Sequence, residues 1–189
     1  MTMTNSNETY RIERDTVGTC NVPKDAYYGV HSMRAYENFQ ITGRKMDPEI
    51  IKSIAEIKKA CVITNNEVGL IDEKVTNAMV QACDDVINGE YHDQFIVDPI
   101  QGGAGTSHNM ASNEVIANRA IEILGGELGD YSLVHPNDHV NYGQSTNDVF
   151  PTSGKIATIR LLQEAKKRLI NLSEALDNKA TEFDDCIKM

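Results

Sequence analysis

Residues 143–183, GQSTNDVFPTSGKIATIRLLQEAKKRLINLSEALDNKATEF, decide the architecture. After Pro151, which suits the first turn of a helix, Ile156, Ile159, Leu162, Ala165, Leu169, Leu172, Leu176, Ala180 and Phe183 recur at steps of three and four. That is the period of one apolar helical face. It predicts a helix of about 30 residues, ~45 Å long, where ~10–14 residues are usual. Such a helix cannot cover its own stripe, and no other segment of the chain is long enough to do so. The chain therefore reads as a piece of a longer protein, or as one that completes its bundle by association; a monomer is not expected. Just ahead of the stripe stand Ser145, Thr146 and Asn147, three neutral hydrogen-bonding side chains in a row. Their common use is capping, and their rarer use is to hold a ligand.

Shorter helices are expected upstream. Asp47-Pro48-Glu49 supplies a cap, a proline at the first helical position and an acid in the first turn. The helix should run to about Val68 and bury Ile50, Ile54, Ile57, Cys61 and Thr64. A second should start at Asp72, carry Val75, Met79, Ala82, Cys83 and Val86 inward, and end near Asn88-Gly89. The first stretch of the chain, to about residue 45, reads as irregular, punctuated by Gly18, Pro23, Gly29 and Gly43.

From His92 the helical period lapses, and Gly102, Gly103 and Gly105 crowd together. No P-loop lysine follows and no strand leads in, which disfavours a phosphate loop. Thr106-Ser107 is then placed to cap a helix with periodic positions Met110, Val115, Ile116, Ala120 and Ile123, stopping at Gly125-Gly126. A helix N-terminus exposes unpaired N–H groups and the positive pole of the dipole, so a carboxylate is welcome there. The alternative is that Thr106 and Ser107 cap only their own helix.

Composition limits the remaining choices. The 189 residues are 40% hydrophobic but only 6% aromatic, without tryptophan, and the net charge of -10 speaks against nucleic acid or anionic lipid as a partner. No apolar run reaches membrane-spanning length, and the start, MTMTNSNETYRIERD, has neither the basic nor the apolar region of a secretory leader; a cytoplasmic protein is expected. Cys20, Cys61, Cys83 and Cys186 are scattered, as reduced thiols are. His135 and His139, in HPNDH, have ligand-like spacing, but Pro136 interrupts the helix and no third ligand cluster accompanies them; no metal is expected.

Three separate blocks carry a family resemblance: DAYYGVHSMRAYENF (25–39), DPIQGGAGTSHNMASNEVIANRA (98–120) and HPNDHVNYGQSTNDVFPT (135–152). The chain resembles the fumarase/aspartase superfamily along nearly its whole length, and within it the aspartate ammonia-lyases. Tyr27-Tyr28-Gly29-Val30-His31, Ala104 and Ser145-Thr146 stand where fumarases carry Leu-Trp-Gly-Ala-Gln, Ser and Ser-Ser. Ala111 departs from the family's usual Asn, at a position behind the first loop.

The resemblance implies a mainly α fold, with an N-terminal helical domain at 1–143 and the start of a central helical bundle at 144–189. It also implies elimination of ammonia from L-aspartate through an aci-carboxylate, without cofactor or metal. By the match of motifs, Thr106, Ser145 and Thr146 would hold the side-chain carboxylate, Asn147 with Thr106 would lie near the amino group, and Ser107 would contribute less. His135, Asn137 and Asp138 fall where fumarases show a second anion site, with a structural turn as the alternative role, and Arg34 is placed to support the site from a neighbouring element. Family members continue into a Gly-Arg-Thr-His loop and, further on, a Gly-Ser-Ser loop bearing the base serine with a Lys and an Asn. Neither is found here, so no catalytic base is expected in these residues. Family sites draw on three subunits of a homotetramer. The expectation is thus a parent enzyme that deaminates aspartate and a fragment that alone does not. Two other readings stay open: a fumarate hydratase, and a non-catalytic helical association module.

Overall fold

The computed structural model describes residues 9–187. Residues 1–8, on which the leader reading chiefly bears, and the last two residues lie outside that range. Two strands, β1 (Tyr10–Arg14) and β2 (Thr19–Pro23), are followed by helices α1 (Val30–Asn38), α2 (Pro48–Glu67), α3 (Glu73–Ile87), α4 (Thr106–Ile123) and α5 (Thr146–Glu182). A 3₁₀ turn at His92–Gln94 and a π-helical turn at Pro136–Val140 sit in the connections. The fold is mainly α.

The caps of α2 and α3 match the sequence reading. Asp47 accepts from the Glu49 N–H with Pro48 at the first position, and α3 opens after Asp72 and closes at Asn88 before Gly89 in a left-handed turn. The inward face of α2 differs from expectation. Ile51, Ser53, Ile54, Ala55, Lys58 and Val62 are the fully buried set, while Ile50, Ile57 and Cys61 are half-buried and Thr64 is exposed. The reason is that α2 packs against α3 and also against the start of α5, so its covered arc is centred between two neighbours. Likewise α4 is buried nearly all round, including Asn109, Ser112, Asn113, Glu114 and Asn118, because it lies between α1, α3 and α5. Its sequence shows only a partial stripe since half of what it buries is polar. Ala111, the departure from the family pattern, is fully buried in the core with Val115 and Ile116.

From residue 9 on, the stretch expected to be irregular contains the hairpin and α1. β1 and β2 pair antiparallel, Ile12 opposite Asn21, with Asp15 accepting from the Val17 and Gly18 N–H groups at the turn. The hairpin escapes periodicity because its pattern is inverted: Ile12 is 74% exposed and Glu13 5%. The Glu13 carboxylate accepts from Arg11 Nε at 2.8 Å, the Val30 N–H at 2.9 Å and the Tyr131 hydroxyl at 3.0 Å. From α4, Glu114 accepts from the N–H groups of Gly29, His31 and Ser32 at 2.8–3.1 Å and from the Ser32 hydroxyl. All four leading N–H groups of α1 are therefore taken by two buried carboxylates, a favourable match to the helix dipole. The carboxylate beside it also draws the His31 imidazole upward from its ordinary value.

α5 is 37 residues, longer than expected, and at 1.5 Å per residue reaches ~55 Å. It begins at Thr146 rather than at Pro151, which lies inside it. Its first three turns dock through the buried Val149, Ser153 and Ala157, and Arg160 adds an ion pair to Glu56 of α2; beyond them Leu162, Leu169, Leu172 and Leu176 are 55–65% exposed.

Candidate functional site

Two loop ends meet where α4 and α5 begin. The glycine loop turns into α4 through Gly103 and Gly105, with φ of +78° and +88°, conformations that side chains other than glycine rarely adopt. Gly105, not Thr106, is the N-cap; no side chain caps this helix and no acid occupies its first turn. This corrects the expectation that Thr106 and Ser107 cap it: the chain is already helical at Thr106, neither hydroxyl caps the helix, and its leading N–H groups stay open to an anion. On the second loop Ser145 is the N-cap of α5, its Oγ accepting from the Asn147 N–H at 3.3 Å.

The two ends are joined by packing and by one amide. The Phe150 ring fills the space where a Cβ on Gly105 would stand, and stacks on the His108 ring at 5.1 Å with the planes 7° apart. Asn109 donates from Nδ2 to Thr146 Oγ1 and to Asn141 Oδ1, both at 3.0 Å. Beneath them the buried Lys58 donates to Asn141 Oδ1 and Gln144 Oε1, both at 2.8 Å. Thr106, Ser145 and Asn147 are exposed, and Ser107 and Thr146 half-buried, so the five candidate donors form an open ledge along two adjacent helix N-termini. A cavity of about 750 Å³ adjoins it, walled by His108 and Phe150 on the ledge side and by Lys45, Pro48, Ile51 and His92 on the other.

Desolvation governs the titrating groups here. Burial pushes the Lys58 ammonium down to about 7, and pushes His108 below its usual value. His108 Nε2 lies 3.1 Å from the Asp98 carbonyl, which only accepts, so Nε2 carries the proton. The Asp98 side chain anchors the loop from below. Burial acts to raise it, but the N–H groups of Ile100, Thr42 and Gly43 and the Thr42 hydroxyl at 2.7–2.9 Å outweigh this and hold it at about 2. A carboxyl depressed in the folded state from 3.8 to about 2 contributes stability above pH ~4 that is lost as pH falls towards 2. Asp98→Asn is accordingly expected to flatten the acid limb of the unfolding curve over that window; an unchanged acid limb in pH-dependent urea titrations would count against it.

His135, Asn137 and Asp138 lie on the far side of α4. His135 Nδ1 accepts from the Asn137 and Asp138 N–H groups at 3.2 Å and caps the π-helical turn, while His139 Nδ1 accepts from the His135 N–H at 2.8 Å. His135 and Asn137 line a cavity of about 240 Å³ with Arg14, His31, Glu114 and Tyr131, whereas the Asp138 side chain is 78% exposed outside it. Arg34 is bound to Asp15, 2.8 Å from Nε to Oδ2, and braces the hairpin turn. Lys58, Asn109, Asn141 and Gln144 were not singled out from sequence. The available signal was a lysine falling at 51, 54, 55, 58, 62, an amphipathic spacing in which a charge is out of place.

The model of one lyase family matches residues 18–189. The chain belongs to this lyase family. An aspartate ammonia-lyase from Bacillus sp is 53% identical over 183 residues, 97% of this chain and 39% of that protein. A class II fumarate hydratase from Halobacterium salinarum is 49% identical over 182 residues, 96% of this chain and 38% of the relative. In structure the chain is similar to a fumarate lyase:delta crystallin from Brucella melitensis, with a TM-score of 0.89 and 43% identity over 95% of this chain and 42% of that one. The chain thus spans about two-fifths of the length of the relatives it matches. None of its helices, among the described residues, is long and apolar enough to cross a membrane.

Proposed function

We propose that the protein to which these residues belong converts L-aspartate to fumarate and ammonia. The observation that carries the reading is the junction of two helix N-termini, through Asn109 and Phe150, into one ledge of neutral donors. The difficult step is removal of a proton from the carbon beside a carboxylate. As the C–H bond breaks, its electron pair delocalises into the carboxylate to give an aci-dianion; the pair then forms the C=C bond as the C–N bond breaks and ammonia leaves. Preorganised donors aimed at that carboxylate stabilise charge that grows only in the transition state, and hydroxyls and amides do so without a cofactor. In this reading Thr106, Ser145 and Thr146 hold the side-chain carboxylate and Asn147 meets the amino group, with Ser107 at the margin. Ser145 combines this with capping, since a hydroxyl that accepts one N–H still has its own proton to donate.

The ledge is open, so its remaining walls and the base have to come from elsewhere in the protein or from other copies. The half-exposed leucines of α5 supply the means of association, and a homotetramer built on a bundle of these helices is the assembly proposed, with residues 1–143 as one domain and 144–189 opening the next. The unpaired thiols of Cys20, Cys61, Cys83 and Cys186 suit the cytoplasm.

The identity to a fumarate hydratase favours one competitor, with water as leaving group. Assaying the whole protein on L-aspartate and L-malate decides between them: kcat/KM on aspartate is expected to exceed that on malate by at least about 100-fold, since a site built for one leaving group strands its polar partners with the other. Preference for malate would overturn the reading. The isolated 189-residue chain is expected to release no fumarate, and measurable turnover by it would show that the base lies within these residues.

A further inference from the structure

Lys58 is among the largest fully buried side chains and lies beneath the ledge, behind the exposed donors. Its Nζ reaches Asn141 Oδ1 and Gln144 Oε1. An ammonium only donates, and the Nδ2 of Asn141 is already committed to the Gln144 carbonyl at 3.2 Å. The atom that Asn141 turns to Lys58 is therefore fixed as its carbonyl oxygen. Asn109 meets that same oxygen, so it must present its amide nitrogen, whose second proton goes to Thr146 Oγ1. The Thr146 hydroxyl then accepts from the protein and has its own proton free for the outside. Gln144 is set in the same way: with Oε1 on Lys58, its Nε2 donates to the Val140 carbonyl at 2.8 Å, holding the loop that carries Ser145.

We infer that Lys58 is a positioning residue: through Asn141 and Asn109 it fixes the direction of donation, so that Thr146 offers a proton, not a lone pair, to an incoming carboxylate. Without it the orientation of Asn141 rests on the single 3.2 Å bond from its Nδ2 to the Gln144 carbonyl; once that gives way both amides turn over, and the reversed chain would draw the Thr146 proton inward and set an oxygen lone pair against the ligand. The inference rests on the reading of Thr146 as a carboxylate holder.

The test is a double-mutant cycle in the whole protein, reading the Kd for succinate by calorimetry, because succinate is a dicarboxylate that cannot eliminate. Lys58→Met and Thr146→Val are each expected to weaken binding about 10-fold, and the double variant also about 10-fold, since the second change has nothing left to remove. Independent effects multiplying to about 100-fold, or unchanged affinity in Lys58→Met, would overturn the relay. Should Lys58→Met fail to fold, Asn109→Leu breaks the same chain in its middle and enters the same cycle with the same expectation. Unchanged affinity in Thr146→Val alone would instead overturn the reading of Thr146, and the inference with it.

Discussion

Gly105→Ala should separate the two halves of the ledge and lower kcat/KM of the whole protein by at least about 100-fold, because displacement of a positioned group by about 1 Å is enough for such a loss. Two costs combine at this residue. The backbone is left-handed at φ +88°, which costs a non-glycine residue about 1 kcal/mol. The new methyl also overlaps the Phe150 ring, itself held between Gly105 and the His108 ring, so relief requires moving the first turns of α5 away from α4. Overpacking of this kind costs about 1–3 kcal/mol, for a total destabilisation of about 2–4 kcal/mol. Gly103→Ala is the control. Its φ is +78° but a Cβ there meets nothing within 4 Å, so it should lose about 1 kcal/mol in stability and little activity. Equal losses of activity in the two variants would mean that the contact with Phe150 does not set the geometry of the site.

The largest loss of stability is expected from Glu114→Ala, about 3–5 kcal/mol in urea unfolding of the whole protein. Glu114 is 1% exposed, and its removal leaves the N–H groups of Gly29, His31 and Ser32 and the Ser32 hydroxyl without their acceptor. It also removes the tie that holds α1 and, through Glu13, the hairpin against α4. Glu114→Gln keeps two acceptor lone pairs but turns an amide NH₂ towards donors, so it should fall between the wild type and alanine. A loss below about 1 kcal/mol in Glu114→Ala would mean that these donors find other partners once the carboxylate is gone.

These two residues also mark where sequence reading stops. Gly105 was legible as part of a glycine cluster, and its neighbours Thr106 and Ser107 as hydroxyls at a helix start, yet capping by those hydroxyls was the natural local inference. The fold places the cap one residue earlier, on a glycine with no side chain to offer, and thereby leaves them free. Glu114 reads in sequence as one more charge on a helix, and nothing local says that the N-terminus of α1 lies beside it, 82–85 residues away.

What the sequence determined by itself were the features whose physics is local or periodic: the Asp47-Pro48 and Asp72 starts, the Asn88-Gly89 stop, the great length of α5 and the apolar stripe it cannot cover. Each depends on neighbours within one or two turns, so composition and spacing are enough. Tertiary structure alone decided that Lys58 is buried rather than solvated, that the hairpin turns Glu13 inward and Ile12 out, and that Asn109 meets Thr146 across 37 residues of chain. Those outcomes follow from which helices share a face. A side chain's partners across such distances are set by the packing of whole elements, whose free energy is summed over many contacts, and no short stretch of residues carries that sum.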